Sequence, residues 1–544
     1  MVRNALASLS LLVMAPGAAV AATPALTVDT LKEVTKTLSS DLFEGRAPTS
    51  PGEDKTIGYL AGRFAAMGLQ PGNKGSWFQP VPMVRMTASP EMELRFAGGK
   101  TPVSLAYKSD FVAGSYRITP KTEIANSDVV FVGFGINAPE RGWNDYAGLD
   151  VKGKTVVILI NDPDYGRKDL KGPFEGRAMT YYGRWTYKFE EAARQGAAAA
   201  IIIHDTYPAA YPWGVVVSSW TGAQIMMDAA DNHMGETQAN GWMTGAAAQK
   251  LFTAAGLDLA KLTAAAKRKG FKPVPLGVKA SLSFTTEIAR QVSHNVVGLL
   301  PGKTRPDEVV LYSAHWDHLG ICEPVNGDNI CNGALDNATG TAGLVALAEA
   351  HAKAGAADRS IAFVAVTAEE SGLLGSEYYA ANPVFPLAKT VGGVNMDGLN
   401  ILGRTRDVVV IGPGKSELEP MLARYAKAQN RVLVPEPTPE KGGYYRSDHF
   451  SFAKRGVPMI YFDSGEDLLN GGKAAGAAAS EDYTVNRYHK PQDEYRDDWN
   501  WEGALEDLSL NYQIGRDLAE GNAWPNWYPS AEFRAIRDAS RAAK

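Results

Sequence analysis

Short apolar runs and segments with helical apolar spacing alternate along the C-terminal half of the chain. The apolar runs predict β-strands at residues 295–300, 308–313, 360–367, 390–395, 407–411 and 457–462. Apolar residues at every third or fourth position predict helices between them, for example at residues 340–353 and 417–428. Strands that alternate with helices indicate an α/β fold, with a mostly parallel sheet covered by helices on both faces.

The N-terminal half has a different pattern. Helices are predicted at residues 30–38 and 55–67, and a stretch rich in β-strands follows to about Phe111. From residue 115 to about 272, strands and helices mix with many aromatic residues and few candidate metal ligands. We interpret this segment as a separate, smaller α/β lobe whose aromatic residues mostly form its core.

The first 22 residues have the pattern of a secretory signal peptide. Arg3 supplies a positive charge, residues 5–14 are apolar, and Ala19-Val20-Ala21 resembles a cleavage site. A buried N-terminal helix is the alternative interpretation. No later apolar run approaches the ~20 residues that cross a bilayer. We therefore expect an exported protein, periplasmic or secreted, without stable membrane insertion.

Composition narrows the choice of class. The chain has 544 residues, of which 45% are hydrophobic and 21% charged, as in soluble globular proteins of several domains. Its formal net charge of -5 makes nucleic acid an unexpected partner. The two cysteines, Cys322 and Cys331, are expected either to close a small disulfide ring or to remain two loop thiols.

Polar groups follow several of the predicted strands. Each has an ordinary interpretation by itself: a core histidine, a helix N-cap, a solvated Glu-Glu pair or a turn. Their joint occurrence after apolar strands, with glycines beside them, is not explained in that way. The residues after strands are His315, Asp317, Glu369, Glu370 and Asp397, and two other segments add Asp336 and His489.

This set has the composition of a site for two divalent metals. Two zinc ions need a bridging carboxylate, two further carboxylates and two imidazoles as ligands. One more carboxylate must stay free to act as general base towards a water molecule that the metals activate. The sequence supplies this inventory, with Glu369 as the base and Asp317 placed to orient the ring of His315.

Several motifs resemble those of the co-catalytic di-zinc aminopeptidase family, to which glutamate carboxypeptidase II, the transferrin receptor and glutaminyl cyclase are related. The resemblance covers residues 288–498 and the helices near the N-terminus, and the lobe at 115–275 is similar to an inserted protease-associated domain. The motifs are Ala314-His-Trp-Asp317, Leu335-Asp-Asn-Ala338, Glu369-Glu370, Asn395-Met-Asp397, Ser447-Asp-His449 and Tyr488-His489-Lys-Pro-Gln-Asp493.

The resemblance implies a role for each matching residue. One zinc would be held by His315 and Asp397 and the other by Glu370 and His489, with Asp336 bridging them. Glu369 matches the general base, Asp317 the residue that orients His315, and Tyr444 a tyrosine that binds the oxyanion, although Tyr445 makes that register ambiguous. Asp448 and His449 match a supporting motif, and His318 has no assigned role, so we expect it at the surface.

The resemblance also implies a domain plan and a function. The plan is a signal peptide at 1–22, peptidase segments at 23–114 and 276–544, and the inserted lobe at 115–275. The expected function is that of an exported, zinc-dependent aminopeptidase with two Zn²⁺ per chain, acting on peptides. The sequence leaves open whether the chain is a monomer or a homodimer, and whether the inserted lobe gates access, binds substrate or mediates dimerisation.

The sequence allows three alternative functions. Dipeptidases and carboxypeptidases use the same metal core and add arginines that clamp a carboxylate, for which Arg446 and Arg487 are candidates. A glutaminyl cyclase would hold one zinc, and a receptor-like binding protein would have lost metal ligands.

We also expect residues 468–480, rich in Gly and Ala, to form a mobile loop before His489.

Overall fold

A computed structural model describes residues 26–542 of the chain. The predicted signal peptide at residues 1–22 lies outside this range. Among the described residues, no helix combines the length and apolar composition needed to cross a bilayer.

The central sheet is mixed, and its four consecutive parallel strands carry the candidate site. In the spatial order given next, the first four strands pair in parallel, and the remaining strands pair antiparallel. The strands, in spatial order, are Met459–Ile460, Thr390–Asn395, Arg305–His315, Arg359–Val366, Val274–Leu300, Phe78–Ala88 and Ala223–Met227, with Gln70–Pro71 also paired to Val274–Leu300.

Both faces of this sheet are covered, as predicted for the fold class. Alternate residues of Arg305–His315 point to opposite sides, because side chains alternate along a strand. Tyr312 lies in the large apolar cluster that includes helix Gly340–Ala354. Leu311 lies in a second cluster, on the other face, with Tyr379 of helix Leu374–Ala381. The α/β prediction is therefore confirmed.

One long strand, Val274–Leu300, belongs to two sheets. Its C-terminal part pairs in the central sheet, and its N-terminal part pairs with Lys121–Phe131 and Glu93–Gly98 in a second sheet. The second sheet has its own apolar clusters on its two faces. Its further strands are Thr155–Leu159, Ala199–His204, Ala239–Thr244, Phe111–Gly114 and Val103–Ala106.

The remaining elements are short strands and the helices. The short strands are Asp407–Val410 between Val432–Pro435 and Phe462–Ser464, the hairpin Gly320–Val325 and Asp328–Cys331, and the pair Asn137–Ala138 and Trp143–Asn144. The helices are Val28–Leu38, Pro51–Ala66, Trp185–Arg194, Thr206–Ala209, Trp213–Trp220, Gly245–Ala254, Leu259–Ala266, Gly340–Ala354, Leu374–Ala381, Leu418–Ala428, His449–Lys454, Gly472–Asn486, Glu502–Glu520 and Arg534–Ala542.

The structure corrects the prediction of a mobile loop at residues 468–480. Most of that segment belongs to helix Gly472–Asn486, which leads towards His489. Alanine has the highest helix propensity, so an Ala-rich run favours a helix even when glycines interrupt it. Gly476 is needed for packing, because a Cβ there would overlap the carbonyl oxygen of Glu466.

Candidate functional site

Three parallel strands deliver the candidate residues to one edge of the central sheet. His315 is opposite Val366, and Ser313 is opposite Asn395, so the three strands end at the same level. Carboxyl ends of parallel strands are where open α/β sheets bind ligands. The residues that leave this edge are His315 and Asp317, then Glu369 and Glu370, and then Asp397.

The first half of the site is built around the ring of His315, which is buried. Its Nε2 atom lies 3.2 Å from Oδ1 of Asp397 and 3.4 Å from Oδ1 of Asp336. The general-base candidate Glu369 is close by, with Oε2 4.0 Å from the same nitrogen. One imidazole and two carboxylates therefore face a common point.

The second half uses the other oxygen of Asp336. Nε2 of His489 lies 3.3 Å from Oδ2 of Asp336 and 3.0 Å from Oε2 of Glu370. The two oxygens of Asp336 thus face two different imidazoles. The bridging role of Asp336 stays a prediction from the sequence.

His318 is an additional member of the second half, and the expectation that it lies at the surface is wrong. It is 1% exposed, and its Nδ1 atom lies 2.7 Å from Oε1 of Glu370. Ligand atoms of His318, Asp336 and Glu370 all lie within 4.8 Å of one another. The signal available in the sequence was its position three residues after His315, on the same strand-end loop.

Asp317 touches both His315 and Glu369, but not in the predicted manner. Nδ1 of His315 lies 3.2 Å from the backbone carbonyl oxygen of Asp317 and 3.7 Å from its Oδ1 atom. The carbonyl is therefore the closer acceptor for the ring. Oδ1 of Asp317 instead accepts the backbone N–H of Glu369, at 3.1 Å, and so fixes the start of the Glu369-Glu370 turn.

The loop that carries Asp336 is held from the last motif of the sequence. The carboxylate of Asp493 accepts the backbone N–H groups of Leu335 and Asp336, each at 3.0 Å. Tyr483 donates its hydroxyl to the same carboxylate, at 3.1 Å. The segment containing His489 thus positions Asp336 as well as supplying an imidazole.

Opposite charges and burial compete at these residues. Burial disfavours protonation of His489, but hydrogen bonds to Asp336 and Glu370 raise its pKa to about 10. Burial likewise opposes the charge on Asp336, and its contacts with His315 and His489 still hold its pKa well below the usual range. In the absence of metal, the imidazoles act as the cations that compensate the carboxylates.

Glu369 differs from the other carboxylates. Burial raises its pKa well above the usual range, and although His315 opposes this shift, Asp397 and Glu370 add to it. A carboxylate whose affinity for a proton has been raised in this way suits proton transfer near neutral pH. This shift agrees with the base role expected from the sequence.

The structure places Tyr488, rather than Tyr444, against a candidate metal ligand. Tyr444 is buried against His449 and Phe533, and its described contacts include none of the histidines and carboxylates that form the site. Tyr488 is part of the site: its ring stacks on that of His489 with 3.8 Å between centroids. Burial, and then the carboxylates of Asp336 and Glu370, raise the pKa of Tyr488. The sequence signal was its position directly before His489.

The supporting motif at Ser447-Asp-His449 is fully buried. Burial raises the pKa of Asp448 to about 7, with His315 opposing the shift. Ser447 accepts a hydrogen bond from Asn395, at 2.8 Å, at the end of the strand that leads to Asp397. These contacts agree with the supporting role expected for the motif.

The donor set fits zinc. Among residues 26–542, Nε2 of His318 is buried without a hydrogen-bond partner, and the close contacts of His318 Nδ1, His489 Nε2 and Glu370 Oε1 do not have hydrogen-bond geometry. Buried polar atoms normally have partners, so orphaned nitrogens and oxygens that converge indicate a missing ligand. Imidazole and carboxylate groups at these positions are the donors that zinc prefers.

A disulfide-linked hairpin lies beside the site. The structure joins Cys322 to Cys331, which resolves the alternative that the sequence left open. The bond closes the hairpin Gly320–Val325 and Asp328–Cys331, directly between the strand end at His315 and the loop that leads to Asp336.

Comparison with known proteins finds a family match in this region. Residues 295–513 match Peptidase family M28. A probable zinc metalloprotease of Pyricularia oryzae is 36% identical over 104 residues, which are 19% of this chain and 19% of that protein. Aminopeptidase NAALADL1 of Mus musculus is 31% identical over 137 residues, which are 24% of this chain and 17% of that protein.

The chain thus spans less than one fifth of the length of these two curated relatives. Among solved structures, an aminopeptidase from Aneurinibacillus sp. strain AM-1 aligns with 92% of this chain and 95% of its own, at 20% identity and a TM-score of 0.49.

Proposed function

Since residues 295–513 match peptidase family M28, we propose that this chain is a zinc-dependent aminopeptidase that removes N-terminal residues from peptides. The observation that carries the proposal is the bridging geometry of Asp336. Its two oxygens face the imidazoles of His315 and His489, at 3.4 and 3.3 Å. A one-metal site has no need of a carboxylate shared in this way.

The proposed ligand sets follow from the contacts. One ion would be held by His315, Asp397 and Asp336, and the other by Asp336, Glu370 and His489. His318 would orient Glu370 through the contact to its Oε1 atom. Two zinc ions bound here would acidify a water molecule and polarise the scissile carbonyl group.

The chain's own residues would move the proton. Glu369 takes a proton from the attacking water at its carboxylate and delivers it to the nitrogen of the leaving amine. Its position depends on Asp317, which accepts its backbone N–H. Tyr488, stacked on His489 and partly exposed, is the candidate to donate a hydrogen bond to the oxyanion.

The direction of hydrolysis is proposed from two considerations. The relative from Mus musculus is described as an aminopeptidase. A carboxypeptidase or dipeptidase would need a free arginine for the terminal carboxylate, whereas Arg487 is paired with Asp482. Arg446, which is exposed, is the remaining candidate for such a clamp.

A substrate panel tests the proposal. Aminoacyl anilides, dipeptides, longer peptides and their N-acetylated forms are incubated with the zinc-loaded chain. We expect hydrolysis of free-amine substrates, loss of activity with a chelator, and recovery with zinc. Cleavage of N-acetylated peptides in preference to free-amine peptides would overturn the aminopeptidase assignment.

Two features outside the site complete the proposal. We propose that residues 1–22 direct export and that residues 115–275 form a protease-associated-like domain, between peptidase segments at 23–114 and 276–544. The second sheet, with its own apolar clusters, supports a separate inserted lobe. Detection of the mature chain outside the cytoplasm, starting near residue 23, tests the first point.

A further inference from the structure

Arg46 is a fully buried arginine directly behind the site. Its relative exposure is 0%, and all four acceptors of its hydrogen bonds are backbone carbonyl oxygens. Nε donates to Trp316 at 2.9 Å, Nη1 to Leu38 and Asn332 at 2.7 Å each, and Nη2 to Gly333 at 2.9 Å.

Two of these acceptors lie next to the proposed metal ligands in the chain. Trp316 follows His315, and Gly333 begins the turn that leads to Asp336. The backbone of Arg46 adds a further link, because its carbonyl oxygen accepts the N–H of His318, at 3.3 Å. One residue therefore joins the strand-end loop of His315 to the separate loop of Asp336.

The backbone at this position is specialised for close approach. Glu44, Gly45 and Arg46 have φ values of 51°, 65° and 52°, in the left-handed region. A Cβ on Gly45 would lie 2.5 Å from the carbonyl oxygen of Cys331 and 2.7 Å from that of Gly320. Left-handed non-glycine residues persist where the surroundings fix them, and they cluster at functional sites.

The guanidinium keeps its charge at neutral pH. Burial lowers the pKa of Arg46 to about 10, and the carboxylates of Asp317, Asp493 and Asp336 oppose that shift. The arginine is thus a buried cation beneath an acidic site. It favours the ionised carboxylates that metal binding requires.

We propose that Arg46 is a positioning residue that sets the separation of the two ligand loops and thereby the zinc affinity of the site. This inference rests on the proposed two-metal function. Arginine is required because its planar, forked donors reach three backbone segments at once, whereas a lysine ammonium is a single point of donation. Arg46→Lys should therefore keep the charge but lose the geometry.

Arg537 provides a matched control. It is 1% exposed, and its guanidinium also donates to backbone carbonyls, those of Leu387, Thr390 and Val391. Burial also lowers its pKa to about 10. None of these carbonyls adjoins a proposed ligand, so Arg537→Lys carries the same kind of structural damage away from the site.

The experiment measures zinc affinity rather than activity. The full-length, metal-depleted wild-type chain, Arg46→Lys and Arg537→Lys are titrated with zinc against a competing chelator, and thermal unfolding is recorded for each. We expect Arg46→Lys to bind zinc about 10–100-fold more weakly, as for other groups that orient metal ligands. Arg537→Lys should keep wild-type affinity, even if its unfolding temperature falls equally.

Equal zinc affinity of Arg46→Lys and wild type would overturn the inference while leaving the proposed function intact. A wild-type chain that binds no zinc would overturn both. If Arg46→Lys does not fold, the test is hydrogen exchange of the wild-type chain, measured with and without zinc. Because linkage is reciprocal, zinc should slow exchange in residues 41–46, which supply no ligand, and unchanged exchange there would contradict the proposal.

Discussion

Nε2 of His315 and Oδ1 of Asp397 lie 3.2 Å apart, although 82 residues separate them in the chain. The contact exists because parallel strands Arg305–His315 and Thr390–Asn395 end at the same level. The sheet thus fixes one half of the site through main-chain pairing. The other half, with Asp336 and His489, depends on loops.

Replacement of Glu369 tests the general base. Glu369→Gln should lower kcat by about 10²–10⁴-fold, the usual contribution of a positioned base, because an amide cannot accept the proton. Zinc content should stay the same, since no ligand is removed. Glu502→Gln, at an exposed helix start, is the control and should behave as wild type. Near-normal turnover of metal-loaded Glu369→Gln would contradict the base role.

Replacement of Asp336 tests the bridge. In Asp336→Asn the side chain keeps its shape, but it loses its charge and one of its two oxygen ligands. We expect bound zinc to fall from two ions per chain to less than one, measured by elemental analysis after gel filtration. The exposed Asp169→Asn serves as a control. Retention of two ions by Asp336→Asn would show that the carboxylate does not bridge.

The paired substitutions Tyr488→Phe and Tyr444→Phe decide which tyrosine serves the reaction. Tyr488 stacks on His489, so loss of its hydroxyl should lower kcat by about 10²-fold, as expected for one oxyanion donor. The hydroxyl of Tyr444 is buried without a partner among the described residues. Its removal should leave kcat unchanged. The opposite ranking would restore the role that the sequence suggested for Tyr444.

The disulfide between Cys322 and Cys331 should stabilise the chain. It closes a loop with a sequence separation of nine, for which the chain-entropy relation gives about 2.5 kcal/mol. The double variant Cys322→Ser, Cys331→Ser should lose about that much free energy of unfolding in urea. A reducing agent should destabilise the wild type but not the double variant; equal sensitivity of both would contradict the assignment.

A buried histidine should make the metal-depleted chain sensitive to acid. Burial lowers the pKa of His351 from 6.5 to about 3, and its Nε2 lies 2.9 Å from the hydroxyl of Tyr312. The unfolded state takes up this proton first, so stability is full above pH 6.5 and falls as the pH drops towards 3. The loss from this group approaches about 1.4 kcal/mol per pH unit.

Urea unfolding between pH 7 and pH 4 measures this slope. His351→Gln should remove the contribution of one proton to the pH dependence of the free energy of unfolding. Gln249→Asn, at an exposed helix position, changes no titratable group and should leave the slope as it is in the wild type. Identical slopes for wild type and His351→Gln would contradict the assignment of the pKa.

Much of the central sheet could be predicted from the sequence, because both of its faces are buried. The run Ile361-Ala-Phe-Val-Ala-Val366 is continuously apolar and lies in strand Arg359–Val366. The strand that joins the two sheets could not be delimited in this way. Val274–Leu300 changes partners along its length, so no single alternation of buried and exposed residues describes it.

The candidate site residues could be selected from the sequence because strand ends at one sheet edge concentrate them. Loop geometry could not be predicted from the sequence, and the wrong predictions concern residues in loops. His318 is buried by Gly333, whose missing Cβ leaves room for the imidazole ring. The role of Arg46 depends on a left-handed turn and on carbonyls of distant segments, neither of which leaves a periodic signal in the sequence.

Two zinc ions bound at one shared carboxylate would make this chain an aminopeptidase. The most direct measurement titrates the metal-depleted chain with zinc while following hydrolysis of an aminoacyl anilide. We predict that activity rises until two equivalents of zinc per chain are bound and then stays constant. Full activity at one equivalent, or activity without zinc, would contradict the claim.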